Sequence, residues 1–452
     1  MKKRLISLVM TVTIALIFLA GCGSDKLISK NEQKTQDEDE GKAEKSEVKK
    51  YKKIRFLCDW NTELERYDAF HEALNKWLAD NPEMDVEVEV ALDPDNKTKM
   101  QVELAAGNIP DVFKWWVTPT NAANLYENDA VLDTNTIIEA SNVLTQDMFP
   151  MEARSTGTYK GVSYGLPIYG TSGYFVINKE LYDEYNVPIP KTYEDFREGA
   201  KIFIENGIIP FASGSVAGNP SHYWMSALWV QFPNAVEEID AIAEGGNIAS
   251  ATGISKKVAE IIQEDISLGM YPRDPVANNA DACFAMVMDG RAAACYAMSY
   301  QMFLLSPEDN KKIELISTPR VEGGSMDTDE YYYMSPTNGY QVSKKGFEDT
   351  EKREPIMKLV EFLCSPEIIN LWAETEEMNV NMEIDSSAYS EARLKMEEFK
   401  KDRTPYSAVH FTRINNATIW TEYKNKIDEL YSGLITPDEF EQAISKVWED
   451  NK

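Results

Sequence analysis

Apolar and polar positions change their period along this chain, and each change marks an element. Lys53-Ile54-Arg55-Phe56-Leu57 reads as a strand, and Tyr67, Phe70, Leu74 and Trp77 then recur at the spacing of one helix face. Asn81-Pro82 stops that helix, after which Val86, Val88 and Val90 alternate with acids as a strand does. A helix from about Lys99 to Ala106 closes at Gly107, and Asp111-Val112-Phe113-Lys114-Trp115-Trp116 gives a third strand. The alternation then repeats with Gly173 to Ile177 as a strand, Tyr193 to Asn206 as a helix and Ile209 to Ala212 as a strand. Thr192 caps that helix, and Glu194 and Asp195 in its first turn suit the helix dipole. From about Ser387 to Lys452 the pattern is helical, through Tyr423, Ile427, Leu430 and Tyr431, with a turn at Gly433 and a new helix after Thr436-Pro437. Strands alternating with helices predict an α/β fold with a parallel, doubly wound sheet, and two sets in series predict two lobes.

The first residues follow a different rule. Met1-Lys2-Lys3-Arg4 leads into an apolar run, Leu5 to Ala20, which ends at Leu19-Ala20-Gly21-Cys22. A cationic start, a short apolar stretch and small residues before a cut site predict a secretory signal over residues 1–21. The run falls short of the roughly 20 residues that a bilayer core needs. Cys22 resembles the first mature residue after a bacterial lipobox, which implies lipidation there and tethering outside the cytoplasmic membrane. Residues 22–50 are dense in Lys, Glu, Asp and Gln and nearly without large apolar side chains, so they predict a disordered tether.

Composition narrows the function. The formal net charge is −29, and removal of Lys2, Lys3 and Arg4 with the signal takes it to −32. A surface so acidic repels nucleic acid and anionic headgroups. Besides Cys22, the thiols Cys58, Cys283, Cys295 and Cys364 match neither a zinc site nor a redox pair and are expected to be small buried residues. The chain has no Gly-x-Ser-x-Gly elbow, His-Glu-x-x-His, phosphate loop or dinucleotide fingerprint. These absences weigh against an enzyme and against a cofactor or metal site; a pair of acids at glycosidase spacing is the rival.

Five segments carry a resemblance. Ala106-Gly107-Asn108-Ile109-Pro110-Asp111-Val112, Lys160 to Pro167, Tyr174 to Leu181, Pro190-Lys191-Thr192-Tyr193-Glu194-Asp195-Phe196, and Phe284 through Asp289-Gly290-Arg291-Ala292-Ala293-Ala294 stand in sequence. Together they resemble the bacterial extracellular solute-binding proteins that deliver sugars to ATP-driven importers, the family that includes maltodextrin-binding protein. Ala294 stands where Met is usual and Tyr193 where Trp is usual. The resemblance implies a two-lobed type II periplasmic-binding-protein fold with discontinuous lobes and a hinged cleft. Lobe one is then expected at 51–166 and 318–380, and lobe two at 167–317 and 381–452. The crossings would lie near Tyr164 to Pro167 and Ile316 to Pro319. It also implies a monomer that captures a carbohydrate, chiefly an oligosaccharide, and passes it to permease subunits.

A sugar offers apolar C–H faces and a rim of hydroxyls, so its site needs aromatic platforms with carboxylates and amides. Asp59, Trp60 and Asn61 follow the first strand, where the carboxyl end faces a cleft. Trp115 and Trp116 point to opposite faces, so at most one lines the cleft; the resemblance implies Trp116, which aligns with the family's sugar-stacking position. Tyr169 and Tyr174 flank Gly170 and Gly173 just past the first crossing. Trp224 and Tyr300 are expected on lobe two, with Tyr333 and Asn338 before a strand of lobe one. A non-sugar ligand, or presentation to a sensor instead of an importer, remains compatible with the same residues.

Overall fold

The computed structural model describes residues 50–451, apart from 61–66, 93–94, 236, 239–240, 242–246, 248–252, 304, 407–413 and 415. The expected signal, Cys22 and most of the tether lie outside these residues, as does Asn61. The first three strands are β1 (Ile54–Cys58), β2 (Val86–Val90) and β3 (Val112–Trp116), with helices α1 (Asp68–Asp80) and α2 (Asp95–Ala105) between them and α3 (Pro119–Glu127) after. β1 pairs in parallel with β2 on one side and β3 on the other. Parallel pairing needs a crossover, and α1 and α2 are those crossovers. α1 turns Phe70 and Leu74 inward, and the Phe70 ring stacks at 5.2 Å on Trp372.

The rest of the sheet departs from the all-parallel expectation. β4 is a 13-residue strand, Leu166–Asn178. It pairs antiparallel with β5 (Ala294–Met298), β6 (Ile313–Ile316), β7 (Tyr331–Val342) and β8 (Glu377–Met378). β7 also pairs antiparallel with β3 and, in parallel, with β9 (Thr404–Tyr406). Two sheets in series are therefore replaced by one nine-stranded mixed sheet. The physical reason is length: β4 and β7 each extend through both halves of the molecule, so one ladder joins what local patterning reads as separate sets. Ile209 to Ala212, expected as a strand, makes only an isolated bridge from Ile209 to Ala292. Pro210 cannot donate to a ladder.

Two main cores flank this shared ladder. Phe56, Trp60, Phe70, Leu166, Ile168, Tyr169, Tyr340, Val342 and Trp372 belong to the first. Phe175, Ile177, Phe211, Trp224, Val321 and Tyr333 belong to the second, against the helices α4 (Tyr193–Glu205), α5 (Ser221–Trp229), α6 (Ile254–Ser267), α7 (Ala417–Tyr431) and α8 (Pro437–Asp450). β4 thus starts in one core and ends in the other, and β7 runs the opposite way. The expected Thr192 cap is a full capping box: its side chain accepts from the Asp195 N–H, and Asp195 accepts from the Thr192 N–H. Gly433 ends the turn after α7 at φ 66°.

Where β4 and β7 meet between the cores, the ladder is irregular and crowded. The register shifts on both sides of Asn338, next to Pro336. A Cβ at Gly170 would lie 2.0 Å from the Ser335 carbonyl oxygen, and one at Gly339 1.9 Å from that of Leu166. Glycine is required at both positions because the two backbones touch there. The four body cysteines are buried free thiols, and burial pushes Cys58 and Cys283 up to about 12.

Candidate ligand site

The carboxyl ends of β1 and β3 bring the first wall together. Asp59 leaves β1 as Lys114 and Trp116 leave β3 on one face, two residues apart. Asp59 Oδ2 accepts a hydrogen bond from Lys114 Nζ at 2.6 Å, and the Lys114 side chain is 8% exposed. Lys114 Nζ stands 5.1 Å from the centre of the half-buried Trp116 ring and 5.9 Å from that of Tyr169. Lys97 Nζ, from α2, stands 4.4 Å from the Trp116 ring. Trp115 points to the opposite face, as strand alternation predicts. It is buried with Leu57, Phe113 and Tyr126, and its Nε1 donates to the Asn121 carbonyl at 3.3 Å.

The floor comes from the shared ladder. Asn338 lies opposite Trp116 on β3 and opposite Tyr169 on β4. Its Nδ2 donates to Thr337 Oγ1 at 3.1 Å, while its Oδ1 is buried without a hydrogen-bond partner among the described residues. Asp59 Oδ1 and both amide atoms of Asn379 are in the same condition. Asn379 is fixed by its backbone N–H, which donates to the Ile168 carbonyl at 2.8 Å. Buried polar atoms are nearly always paired, so these three acceptors and one donor without partners mark the floor.

A second wall gathers at the other end of β7. The Tyr333 ring lies 6.3 Å from Tyr223 and 6.0 Å from Tyr406. Burial pushes the Tyr223 phenol up to about 12. Tyr300 is half-buried, and burial, with Tyr223 and Asp281 nearby, raises its phenol too. Ser299, beside Tyr300, accepts a hydrogen bond from the Ser172 N–H on β4 at 3.3 Å, which ties this wall to the floor. The His222 ring lies 4.1 Å from that of Tyr223, tilted by 36°; burial depresses its pKa to about 3. From Tyr333 to Asn338, β7 covers five residues, about 16 Å at strand rise. The halves also meet where the Thr120 hydroxyl on α3 donates to the Ile414 carbonyl at 2.7 Å.

Five expected site residues are buried in the cores: Tyr169 at 3% and Tyr333 at 2% exposure lie behind the site surface, and Trp60, Trp224 and Tyr174 pack away from it. Trp60 is 2% exposed, with its ring 4.4 Å from both Phe70 and Trp372 and 6.4 Å from Tyr340. Trp224 is 1% exposed; it packs 4.6 Å from Phe211 and 5.7 Å from Phe175, and its Nε1 donates to the Tyr271 hydroxyl. Consecutive helix residues face different directions, so Tyr223 takes the wall position that the sequence suggested for Trp224. Tyr174 alternates away from Gly173, donates to Glu377 Oε1 at 3.2 Å and meets the Phe399 ring. Lys114, Asn379 and Tyr223 were missed by sequence reasoning. For Lys114 a signal existed: it is a lone cation inside an apolar strand, two residues before Trp116.

Two larger hollows lie away from these residues. One of ≈ 480 Å³ is lined by Arg55, Asp111 and Lys344 around the amino ends of β1 and β3, and one of ≈ 1090 Å³ by Tyr193, Arg197, Lys257 and Arg320. The first has no aromatic ring in its lining; the second has Tyr193 and Phe232 among Glu194, Glu198, Glu260 and Glu264, but lies on the second core's helices, away from the join of the long strands. Among the described residues, no three His, Cys, Asp or Glu converge as metal ligands would.

A mixed sheet whose long strands join two cores, with candidate binding groups along the join, defines a two-lobed binding protein of the α/β class. The chain belongs to the bacterial extracellular solute-binding proteins, whose family profile matches residues 61–368. It is 28% identical over 143 residues to the maltotriose-binding protein of Pyrococcus abyssi (strain GE5 / Orsay), an alignment covering 30% of this chain and 28% of that protein. A structure from work on xylan utilization by Caldanaerobius polysaccharolyticus superposes at TM-score 0.73 with 20% identity, over 87% of this chain and 99% of the other. A chitin oligosaccharide binding protein superposes equally at 0.73 and 20%, over 88% and 98%. No helix among the described residues is long and apolar enough to cross a membrane.

Proposed function

We propose that this protein captures a carbohydrate, chiefly an oligosaccharide, between its lobes and hands it to the permease of an ATP-driven importer. The observation that carries this reading is the join of β3, β7 and β4, which sets Trp116 and Tyr169 beside the unpaired acceptors of Asp59 and Asn338. Trp116 offers a face to sugar C–H groups, and the acceptors take sugar hydroxyls. Tyr223 and Tyr300 form the facing wall, backed by the buried Tyr333. The sugar-binding relatives and neighbours support the ligand class.

The lobe boundaries fall inside the long strands, between Tyr169 and Gly173 on β4 and between Tyr333 and Asn338 on β7. Lobe one is then about 51–169 and 338–380, and lobe two about 173–333 and 381–452. A ligand that touches both walls favours the closed state and shifts the population toward it. The ligand is bound and released unchanged, by a monomer held at the outer membrane face through lipid on Cys22.

A thermal-shift screen over mono- and oligosaccharides tests this. Ligand at 100 times its dissociation constant adds about 2.7 kcal/mol. Spread over an unfolding entropy of ~2.1 cal/mol/K per residue for roughly 400 residues, that is about 3 °C. Trp116→Ala should weaken the best ligand about tenfold, ~1.4 kcal/mol, with the ligand-free Tm nearly unchanged. Silence across the panel would overturn the carbohydrate reading, and equal affinity in the variant would remove Trp116 from the site.

A further inference from the structure

We infer that Lys114 is a positioning residue for the ligand: it clamps one oxygen of Asp59 so that the other is presented, with Asn338 Oδ1, to the hydroxyls of a sugar ring at Trp116. The inference rests on the carbohydrate reading above and assigns the chemistry of one end of that site.

Lys114 is anomalous in its own strand. Val112, Phe113 and Trp115 around it are buried apolar residues, and an ammonium at 8% exposure is rare without a specific partner. Its partner is Asp59 at 2.6 Å. A buried pair of this kind is weak as a stabilising device, because desolvating both ions opposes their attraction and apolar residues of similar volume hold a fold as well. The pair's geometry does have a directional consequence. Asp59 Oδ2 is occupied by Lys114, so the carboxylate cannot rotate freely, and Oδ1 is left buried without a partner among the described residues. Asn338 Oδ1 is also an unpaired acceptor, and Asn338 sits directly opposite Trp116 in the ladder.

Both atoms are acceptors, and sugar hydroxyls are donors that satisfy them; the unpaired Asn379 Nδ2 on the same floor is a donor for a sugar oxygen.

The test is a calorimetric titration of the full body with maltotriose, xylotriose and chitotriose, followed by the best binder on Lys114→Met, Asp59→Asn and the double variant. Chains that fail to fold lower the apparent stoichiometry and leave the dissociation constant of the folded fraction, so a purely structural role is separated from a positioning one. Each single variant should weaken binding about tenfold, and the double variant no more than Asp59→Asn alone, because Lys114 acts through Asp59. Losses that multiply to about a hundredfold, or Lys114→Met within about twofold of the parent, would overturn the inference while leaving the carbohydrate reading intact. If Lys114→Met does not fold, the double variant, which buries no unpaired charge, decides by the same comparison with Asp59→Asn. A parent that binds none of the three sugars overturns both proposals.

Discussion

Replacing Trp60 with Ala separates core from site more sharply than any other single change. Sequence position alone places Trp60 at the cleft, just past β1, whereas the structure surrounds it with Phe70, Trp372 and Tyr340. A buried Trp removes ~200 Å² from water, which at ~25 cal/mol/Å² gives about 5 kcal/mol as an upper figure. Large-to-small changes at buried Trp fall at about 3–5 kcal/mol, since the cavity collapses only partly. With an unfolding entropy near 0.85 kcal/mol/K for roughly 400 residues, the ligand-free Tm should drop by about 4–6 °C. Scanning calorimetry without ligand, paired with titration of the best sugar well below Tm, reads both quantities. The expected pattern is a lowered Tm with affinity within about threefold of the parent. A Tm within about 1 °C of the parent, together with lost affinity, would show that Trp60 faces ligand and that the packing argument is mistaken.

Three further changes probe the join between the lobes. Glu377 is 2% exposed, between Arg393 at 3.3 Å and Lys400 at 2.7 Å, so Glu377→Gln leaves these poorly exposed cations with Glu397 as their one remaining carboxylate and should destabilise by about 1–3 kcal/mol in urea unfolding. Burial works to raise the Glu377 carboxyl, but Lys400 and Arg393 outweigh it and hold it below the usual range. Its contribution is therefore present above the unfolded value of 4.5 and lost as pH falls through the folded one, so the gap between parent and variant should narrow in acid. A gap unchanged from about pH 7 to about pH 3 would rule out the ion-pair explanation. Gly170→Ala puts a methyl against the Ser335 carbonyl and should destabilise by about 1–3 kcal/mol or more; an unaffected urea midpoint would mean the strands part freely. Tyr223→Ala should weaken sugar binding with little change in Tm and Trp224→Ala the reverse, and thermal shift with and without sugar would expose any exchange of those roles.

Much of the wall built on β3 was legible beforehand. Trp115 and Trp116 must diverge because a strand alternates, and Trp116 then sits at a carboxyl end. Asp59 follows from the same rule on β1. Tyr300 and Asn338 were reached through the family resemblance, not through any local period. Trp60 and Trp224 were misread because a Trp beside a strand end, or in a helix start, has the same local signature whether it faces a cleft or a core. Only its neighbours from distant segments, Trp372 for one and Phe211 with Tyr271 for the other, decide which. Tyr174 fails likewise: what fixes it is Glu377, brought in by β8 from two hundred residues away.

The amino-acid order by itself determines the α/β alternation, the capping box at Thr192, the paired C-terminal helices and the acidic surface, because each depends on periodicity or composition within a few residues. It could not determine that β4 and β7 run through both cores and merge the strands into one mixed sheet. Strand pairing is a choice among partners far apart in the chain, settled by which apolar faces must be buried together. The same long-range choice set Lys114 on Asp59 and Asn338 opposite Trp116, so the chemistry of the candidate site is a product of the tertiary structure.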